Sequence, residues 1–351
     1  MGEIVWILGA GFSRALGGPL LPDLLSRPSE VRIRGRFKRF SDRLFSTEGG
    51  GLIRRIVESH GWQRSNSDEP AWRDAEEFLE FLDLAAESGH DSPPLLTLRQ
   101  YANTPGLGVE GARALAAAAK RLVAAECCFF SPCDVAYEKW APYVAWASRI
   151  EDTDTVITFN YDRVVEEARK KAGKALDVRL QPGGLQVGPA LLKLHGSVDW
   201  RVNAEGRIHQ IGVPEYAVSC GDEEIAIASP GLTKARFVER LQVLWDLAEQ
   251  AIKTAGAIVF VGYRFPPTDA NARERLLRAI SENMLPGLRV HTVLGPKRDE
   301  HTFRLEELLT RALKMGGRER STGGLLLSLY VHPLFAEDFL GLASRKELLG
   351  V

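Results

Sequence analysis

The stretch IVWILGAGFS, residues 4–13, decides the fold. Its first half, Ile4–Leu8, is a short continuous apolar run, which is typical of a parallel strand covered on both faces. The strand ends at a turn that contains Gly9 and Gly11, and a helix is predicted from Ser13 onward. Glycines at such a turn let the backbone bend sharply and let a phosphate approach the amides at the start of the helix. The stretch therefore predicts an α/β fold with a nucleotide-binding turn, and a tight turn without a ligand is the alternative.

Strands and helices alternate along much of the remaining chain. Apolar runs that end in polar or glycine turns recur at residues 155–159, 257–261, 290–294 and 325–331. Helical periodicity occurs at residues 161–171, 237–254 and 269–282. This alternation predicts a Rossmann-like open parallel sheet, which binds its ligands at the carboxyl ends of the strands.

Residues from about 27 to 150 break the alternation. They lack convincing strand runs, and residues 71–86 place Phe78 and Leu82 on one apolar helical face. Residues 49–51 and 91–94 are predicted to be loops, because they carry glycines and prolines. We therefore predict a single α/β domain, residues 1–351, with a large and mainly helical insertion at about 27–150.

Composition and motif spacing argue against two classes of protein. The 45 basic and 46 acidic residues leave a net charge of −1, so no global field attracts nucleic acid, and direct nucleic-acid binding is not expected. The basic stretch at residues 32–39 is interpreted as a solvated edge, with a phosphate clamp or a nucleic-acid contact as alternatives. The dinucleotide fingerprint G-x-G-x-x-G is incomplete because Arg14 takes the third glycine position, which argues against a dehydrogenase.

No apolar run is long enough to span a bilayer. The longest candidate, residues 114–130, is interrupted by Lys120, Arg121 and Glu126. The first residues are interpreted as a strand and not as a signal peptide, since Glu3 stands where a basic residue is expected. We expect a cytoplasmic protein with no membrane contact.

The cysteine spacing does not suit a zinc ribbon, which needs paired C-x-x-C units. The four cysteines are Cys127, Cys128, Cys133 and Cys220. We interpret them as small buried hydrophobic residues, and no metal is expected.

Two further motifs carry polar side chains to predicted strand ends. In TFNYD, residues 158–162, Asn160 can position a water or a ribose hydroxyl and Asp162 can accept from a carboxamide, although either residue can instead cap a helix. In KLHGS, residues 193–197, His195 can act as a general base near neutral pH, with a purely structural histidine as the alternative.

The motifs together resemble those of the sirtuin family, and specifically its bacterial sirtuin-like NAD-hydrolase branch. The resemblance lies in the order and spacing of GAGFS at 9–13, TFNYD at 158–162, KLHGS at 193–197 and VGYRF at 261–265. It implies a sirtuin-like NAD-binding domain in which NAD is a substrate.

The resemblance also implies a role for each matching residue. Asn160 and His195 are the catalytic candidates, and Asp162 lies by the nicotinamide carboxamide. The candidates for the phosphates, the ribose and the adenosine half of NAD are Gly9, Ala10, Gly11, Phe12, Ser13, Gly262 and Tyr263.

Two departures from the protein-deacylase members favour water as the acceptor. Those members carry a Pro-Asp-Phe-Arg segment soon after the first turn, whereas here the stretch Gly18–Leu24 follows the turn and contains no Phe-Arg. The zinc ribbon is also missing. The resemblance therefore implies an NAD glycohydrolase that releases ADP-ribose and nicotinamide, and an anti-phage immune effector that depletes NAD. An NAD-dependent protein deacylase and a catalytically silent NAD or ADP-ribose sensor subunit are the alternatives. Control is expected from a homo-oligomer or a partner defence protein, a translocase-type ATPase or an Argonaute-like protein by analogy.

Overall fold

The computed structural model describes residues 2–25, 44, 48–60, 72–129, 136–183, 187–213, 216–228, 237–266, 269–316 and 328–350. The strands are β1 (Ile4–Leu8), β2 (Thr155–Thr158), β3 (Asp177–Val178), β4 (Ala190–Lys193), β5 (Gly196–Val202), β6 (Ile208–Gln210), β7 (Ile225–Ile227), β8 (Ala257–Val261), β9 (Arg289–Val293) and β10 (Leu329–His332). The α-helices are α1 (Ala10–Ser13), α2 (Glu48–His60), α3 (Ala75–Glu87), α4 (Pro93–Tyr101), α5 (Val109–Phe129), α6 (Tyr137–Arg149), α7 (Val164–Lys171), α8 (Tyr216–Ser219), α9 (Gln242–Thr254), α10 (Ala270–Ser281), α11 (Glu300–Met315), α12 (Ala336–Leu342) and α13 (Arg345–Leu349).

Seven strands form one parallel sheet in the order β10-β9-β8-β1-β2-β4-β3. Strand β1 lies inside the sheet, where Val5 pairs with Thr155 of β2 and Ile4 pairs with Ala257 of β8. The chain builds outward from β1 through β2 to β4, and later returns to place β8 on the other side of β1. Such a reversal opens a crevice at the carboxyl ends of the strands. The predicted Rossmann-like open parallel sheet is confirmed.

The predicted strands agree closely with those of the structure. Strand β2 ends at Thr158, one residue before the predicted boundary, and β9 begins and ends one residue earlier than predicted. Strand β10 begins at Leu329, and residues 325–327 lie outside the described part of the chain. The basic stretch at 32–39 also lies outside it.

A second, antiparallel sheet has the strand order β6-β5-β7. The sequence did not predict it, because the central strand β5 carries the buried polar residues Ser197 and Asp199. Those side chains satisfy each other, since the Ser197 hydroxyl donates to the Asp199 carboxylate at 2.6 Å. The sequence of β5 therefore has the polar pattern of a surface segment, although the strand is buried in the structure.

Helices are the only regular elements in the described part of residues 27–150. Helices α2, α3, α4 and α5 share a hydrophobic core that continues onto Val198 and Ile227 of the small sheet. Helix α6 packs instead on the parallel sheet, where the Tyr143 hydroxyl donates to the Phe12 carbonyl at 2.7 Å. The insertion is thus helical where it is described, and its boundaries as a unit stay a prediction.

The prediction of a loop at residues 49–51 is wrong, because these glycines lie in helix α2. A Cβ on Gly49 would lie 3.1 Å from the Cβ of Ala118, so the glycine lets α2 approach α5 closely. The loop predicted at residues 91–94 extends only to Ser92, which is the cap residue of α4. Its side chain accepts from the Leu95 amide, and the first two residues of the helix are prolines.

Within the described residues, no helix is both long enough and apolar enough to cross a membrane.

Candidate functional site

The GAGFS turn packs directly against the turn that follows β8. The Gly9 amide donates to the Val261 carbonyl at 3.0 Å, and the Gly11 amide donates to the Gly262 carbonyl at 3.2 Å. A Cβ on Gly9 would lie 2.6 Å from the Gly262 oxygen. The close contact between the two turns thus explains why position 9 is glycine. It also means that the backbone amides of Gly9 and Gly11 already donate hydrogen bonds within the protein. Phosphate binding by this turn stays a prediction.

Gly262→Ala is expected to lower the free energy of unfolding by about 2–3 kcal/mol. Gly262 has φ +65, and its Cβ would lie 2.4 Å from the Phe12 amide nitrogen. Gly173 is a matched control, because it has the same φ of +65 and nothing lies within 4 Å of its Cβ position. Gly173→Ala should therefore cost only the backbone term of about 1–2 kcal/mol in urea denaturation. Equal losses for the two variants would contradict the packing argument.

The Asn160 side chain connects the end of β2 to the GAGFS turn. Its Nδ2 donates to the Gly9 carbonyl at 3.0 Å and lies 3.2 Å from the Ser13 hydroxyl oxygen. The Thr158 hydroxyl accepts from the Asn160 amide at 3.1 Å and fixes the backbone. Asn160 therefore lies half-buried at the carboxyl ends of β1 and β2.

Asp162 is buried beside the same turn. Its carboxylate accepts from the Ser13 hydroxyl at 2.7 Å and from the Val164 amide, at the start of α7, at 3.0 Å. Burial raises the pKa of Asp162, although the charge of Lys193 acts in the opposite direction. The contact with Val164 places Asp162 at the start of α7, whose cap residue, Arg163, makes no side-chain capping hydrogen bond. A contact of Asp162 with the nicotinamide carboxamide stays a prediction.

His195 lies just past the end of β4, in the turn to β5. Gly196 shapes this turn with φ +81, and a Cβ there would lie 2.1 Å from the Ala226 carbonyl oxygen. The imidazole is buried and packs edge-on against Phe159, with ring centroids 4.9 Å apart. Phe159 in turn stacks on Tyr263 at 4.2 Å. These rings bring the ends of β2, β4 and β8 together, so the four sequence motifs converge at one edge of the sheet.

Asp269 also lies in this cluster, although no pattern in the sequence singled it out. The Asp269 carboxylate oxygen Oδ2 lies 3.2 Å from Nε2 of His195, and both side chains are buried. It also lies 3.5 Å from the Tyr263 hydroxyl, which donates to it. In the sequence Asp269 marks only the start of a predicted helix, a position where aspartate is common.

Lys193, the first residue of KLHGS, is fully buried below the site. Its ammonium donates to the Asp162 carbonyl and pairs with Glu166 of α7 at 3.0 Å. Burial raises the pKa of Glu166, and Lys193 opposes that rise. This ion pair ties β4 to α7 and to the segment that carries Asn160.

Among the described residues, no group of three or more histidine, cysteine, aspartate or glutamate side chains could hold a metal ion. Cys128 and Cys220 are buried, and Cys133 lies outside the described part of the chain. Burial raises the pKa of the Cys127 thiol well above its ordinary value, which disfavours the reactive thiolate.

Residues 154–314, a little under half of the chain, match the family model of the SIR2-like domain. The matched region contains Asn160, Asp162, His195 and Gly262, whereas the GAGFS turn precedes it. No curated protein matches the chain. The match supports a relationship to the sirtuin-like family and an NAD-related activity.

Proposed function

We propose that this protein is an NAD glycohydrolase that cleaves the nicotinamide–ribose bond and releases ADP-ribose and nicotinamide. The observation that carries the proposal is the convergence of Asn160 and His195 at the carboxyl ends of the parallel strands, within a region that matches the SIR2-like domain. Ligands of open α/β sheets bind at this edge.

The proposed chemistry needs few protein groups. Breaking the bond develops positive charge on the ribose carbon, and nicotinamide departs as a neutral molecule, so strong acid assistance is unnecessary. The site must hold the substrate, place the acceptor and remove a proton. In the proposal Asn160 orients a water or a ribose hydroxyl, and His195 takes the proton.

Water is the proposed acceptor because the Phe-Arg segment and the zinc ribbon of the deacylase members are missing from the sequence. By the family resemblance, the proposed biological role is that of an anti-phage effector that depletes NAD. An unregulated NAD hydrolase would harm its own cell, so we propose control by a homo-oligomer or by a partner defence protein, a translocase-type ATPase or an Argonaute-like protein. The helical insertion at about 27–150 is the proposed assembly surface, because it is the part of the chain that the proposed nucleotide site does not need.

The test is incubation of the purified protein with NAD, alone, at high protein concentration and with candidate partners, followed by chromatographic identification of products. Equal amounts of ADP-ribose and nicotinamide are expected, and an acetylated peptide should neither be deacetylated nor change the products. Efficient peptide deacetylation would support the deacylase alternative. NAD that binds but stays intact in every arm would support the sensor alternative.

Asn160→Ala is expected to lower kcat for NAD cleavage by about 100-fold, while NAD binding remains measurable. The amide that would orient the acceptor is lost, but the other predicted contacts to NAD are not. Calorimetric NAD binding and turnover should be measured on a variant whose folding has been checked by circular dichroism. Asn203→Ala is a control, because Asn203 accepts from Glu205 and Arg207 amides in an exposed hairpin. Loss of the fold together with all binding would indicate a purely structural Asn160.

A further inference from the structure

We infer that Asp269 is the positioning residue for His195, holding the imidazole ring in the orientation and tautomer that the base needs. This inference rests on the proposed function and deepens it. It adds a residue that lies beyond the VGYRF motif to a site otherwise built from the four motifs at the ends of β1, β2, β4 and β8.

The contact between the two side chains is close and sheltered from water. Asp269 Oδ2 lies 3.2 Å from His195 Nε2, and the side chains are only 6% and 8% exposed. The two atoms are not aligned as a hydrogen bond in this structure, and catalytic contacts of this kind often align only when the substrate binds. A buried carboxylate this close to an imidazole nitrogen favours the tautomer that carries its proton on that nitrogen and the ring orientation that faces the carboxylate. The same charge stabilises the imidazolium that forms when the base takes up a proton.

Asp269 does not perform the usual task of an aspartate at a helix start. It precedes α10 but makes no side-chain capping hydrogen bond to that helix. Asp299, which precedes α11, does accept from the Thr302 amide at 3.0 Å. An uncapped helix start costs stability, so the direction of the Asp269 carboxylate toward His195 calls for a role other than capping.

The segment that leads to Asp269 is held in an unusual conformation. Gly262 has φ +65, and Phe265 has φ +51 although it is not glycine and is almost completely buried. Left-handed backbone at a bulky residue is costly and persists where the surroundings enforce it, often at functional sites. Here the strained turn carries Tyr263, whose ring stacks on Phe159 and whose hydroxyl donates to Asp269. The turn therefore places the Tyr263 hydroxyl where it donates to the Asp269 carboxylate.

The experiment compares Asp269→Asn with wild type and with Asp299→Asn, the matched helix-start control. Asp269→Asn should lower kcat about tenfold with little change in KM, because the ring is misplaced only in the chemical step. Removing the carboxylate should also let His195 lose its proton at a lower pH, so the acidic limb of the kcat/KM profile should move down by about one pH unit. Asp299→Asn should leave the kcat and the pH profile of wild type unchanged.

A readout that needs no turnover separates this inference from the proposed function. In ¹⁵N-histidine-labelled protein, the imidazole signals of His195, assigned with His195→Gln, should report a different tautomer balance and protonation pH in Asp269→Asn. If wild type does not cleave NAD, the proposed function fails, and these signals still test the contact. Unchanged signals, an unchanged pH profile in an active enzyme, or increased turnover would each overturn the inference. Asp269→Ser, which removes the carboxylate and supplies a side chain suited to a helix start, serves if the asparagine variant does not fold.

Discussion

His195→Ala should abolish NAD cleavage, with kcat lowered by about 1000-fold or more, while the fold is retained. A positioned general base contributes about 10²–10⁴-fold to the rate of a reaction of this kind. Among the described residues, no second histidine lies at the carboxyl ends of β1, β2, β4 and β8 that could replace His195. The imidazole packs against Phe159 at the carboxyl edge of the sheet, so its removal leaves a small gap beside the site and does not break the sheet.

Turnover and thermal unfolding should be measured together for this variant. His195→Gln is a useful second variant, because it keeps a polar side chain of similar length but cannot act as a base. His301→Ala is the control, since His301 lies exposed on α11 and should keep full activity. Wild-type turnover in a cleanly folded His195→Ala protein would refute the assignment of the base.

Lys193→Met should destabilise the protein by about 3–5 kcal/mol, because it leaves Glu166 buried and without its cation. The Lys193 side chain is 0% exposed and that of Glu166 is 8% exposed, so water cannot replace the lost partner. The Asp162 carbonyl also loses a donor, and the segment that carries Asn160 loses a support.

Urea denaturation of three variants tests this expectation. Adding Glu166→Leu to Lys193→Met should recover part of the loss, since an apolar pair of similar volume often replaces a buried ion pair without cost. Recovery should be incomplete, because the Asp162 carbonyl still lacks its donor and the buried carboxylates of Asp162 and Asp199 still lack the charge of Lys193. Lys253→Met is the matched surface control, because the Lys253–Glu282 pair is 34% and 46% exposed and contributes at most about 1 kcal/mol. Similar losses for the buried and the surface lysine would contradict the argument from burial.

The parallel sheet was predictable because most of its strands are continuous apolar runs in the sequence. Ile4–Leu8 and Ala257–Val261 are apolar at every position, as strands covered on both faces must be. The small antiparallel sheet was not predictable, because buried Asp199 is compensated by Ser197, Gln210 and Arg163, partners that only the fold brings together. Burial acts to raise the pKa of Asp199, but the charge of Lys193 together with these partners holds it below its ordinary value.

The site was predictable where its residues belong to motifs and not elsewhere. Asn160 and His195 follow apolar runs, so their place at the strand ends follows from the sequence. Asp269 and Glu166 act across the fold, and each resembles an ordinary helix residue in the sequence. Pairings between residues so far apart along the chain, such as His195 with Asp269, are fixed by tertiary structure and leave no local pattern.

The central position of β1 in the sheet has a consequence for the folding of this protein during its synthesis. Its five apolar residues are synthesised long before either neighbouring strand, because Val5 pairs with Thr155 and Ile4 pairs with Ala257. At about 5–20 residues per second, β8 follows β1 after roughly 12–50 s. Both edges of β1 are unpaired until β2 is synthesised, and one edge stays unpaired until β8 follows, the condition in which apolar strands aggregate. The strand that leads into the GAGFS turn is thus synthesised early and fully paired late, and the nascent chain should depend on chaperones through that interval.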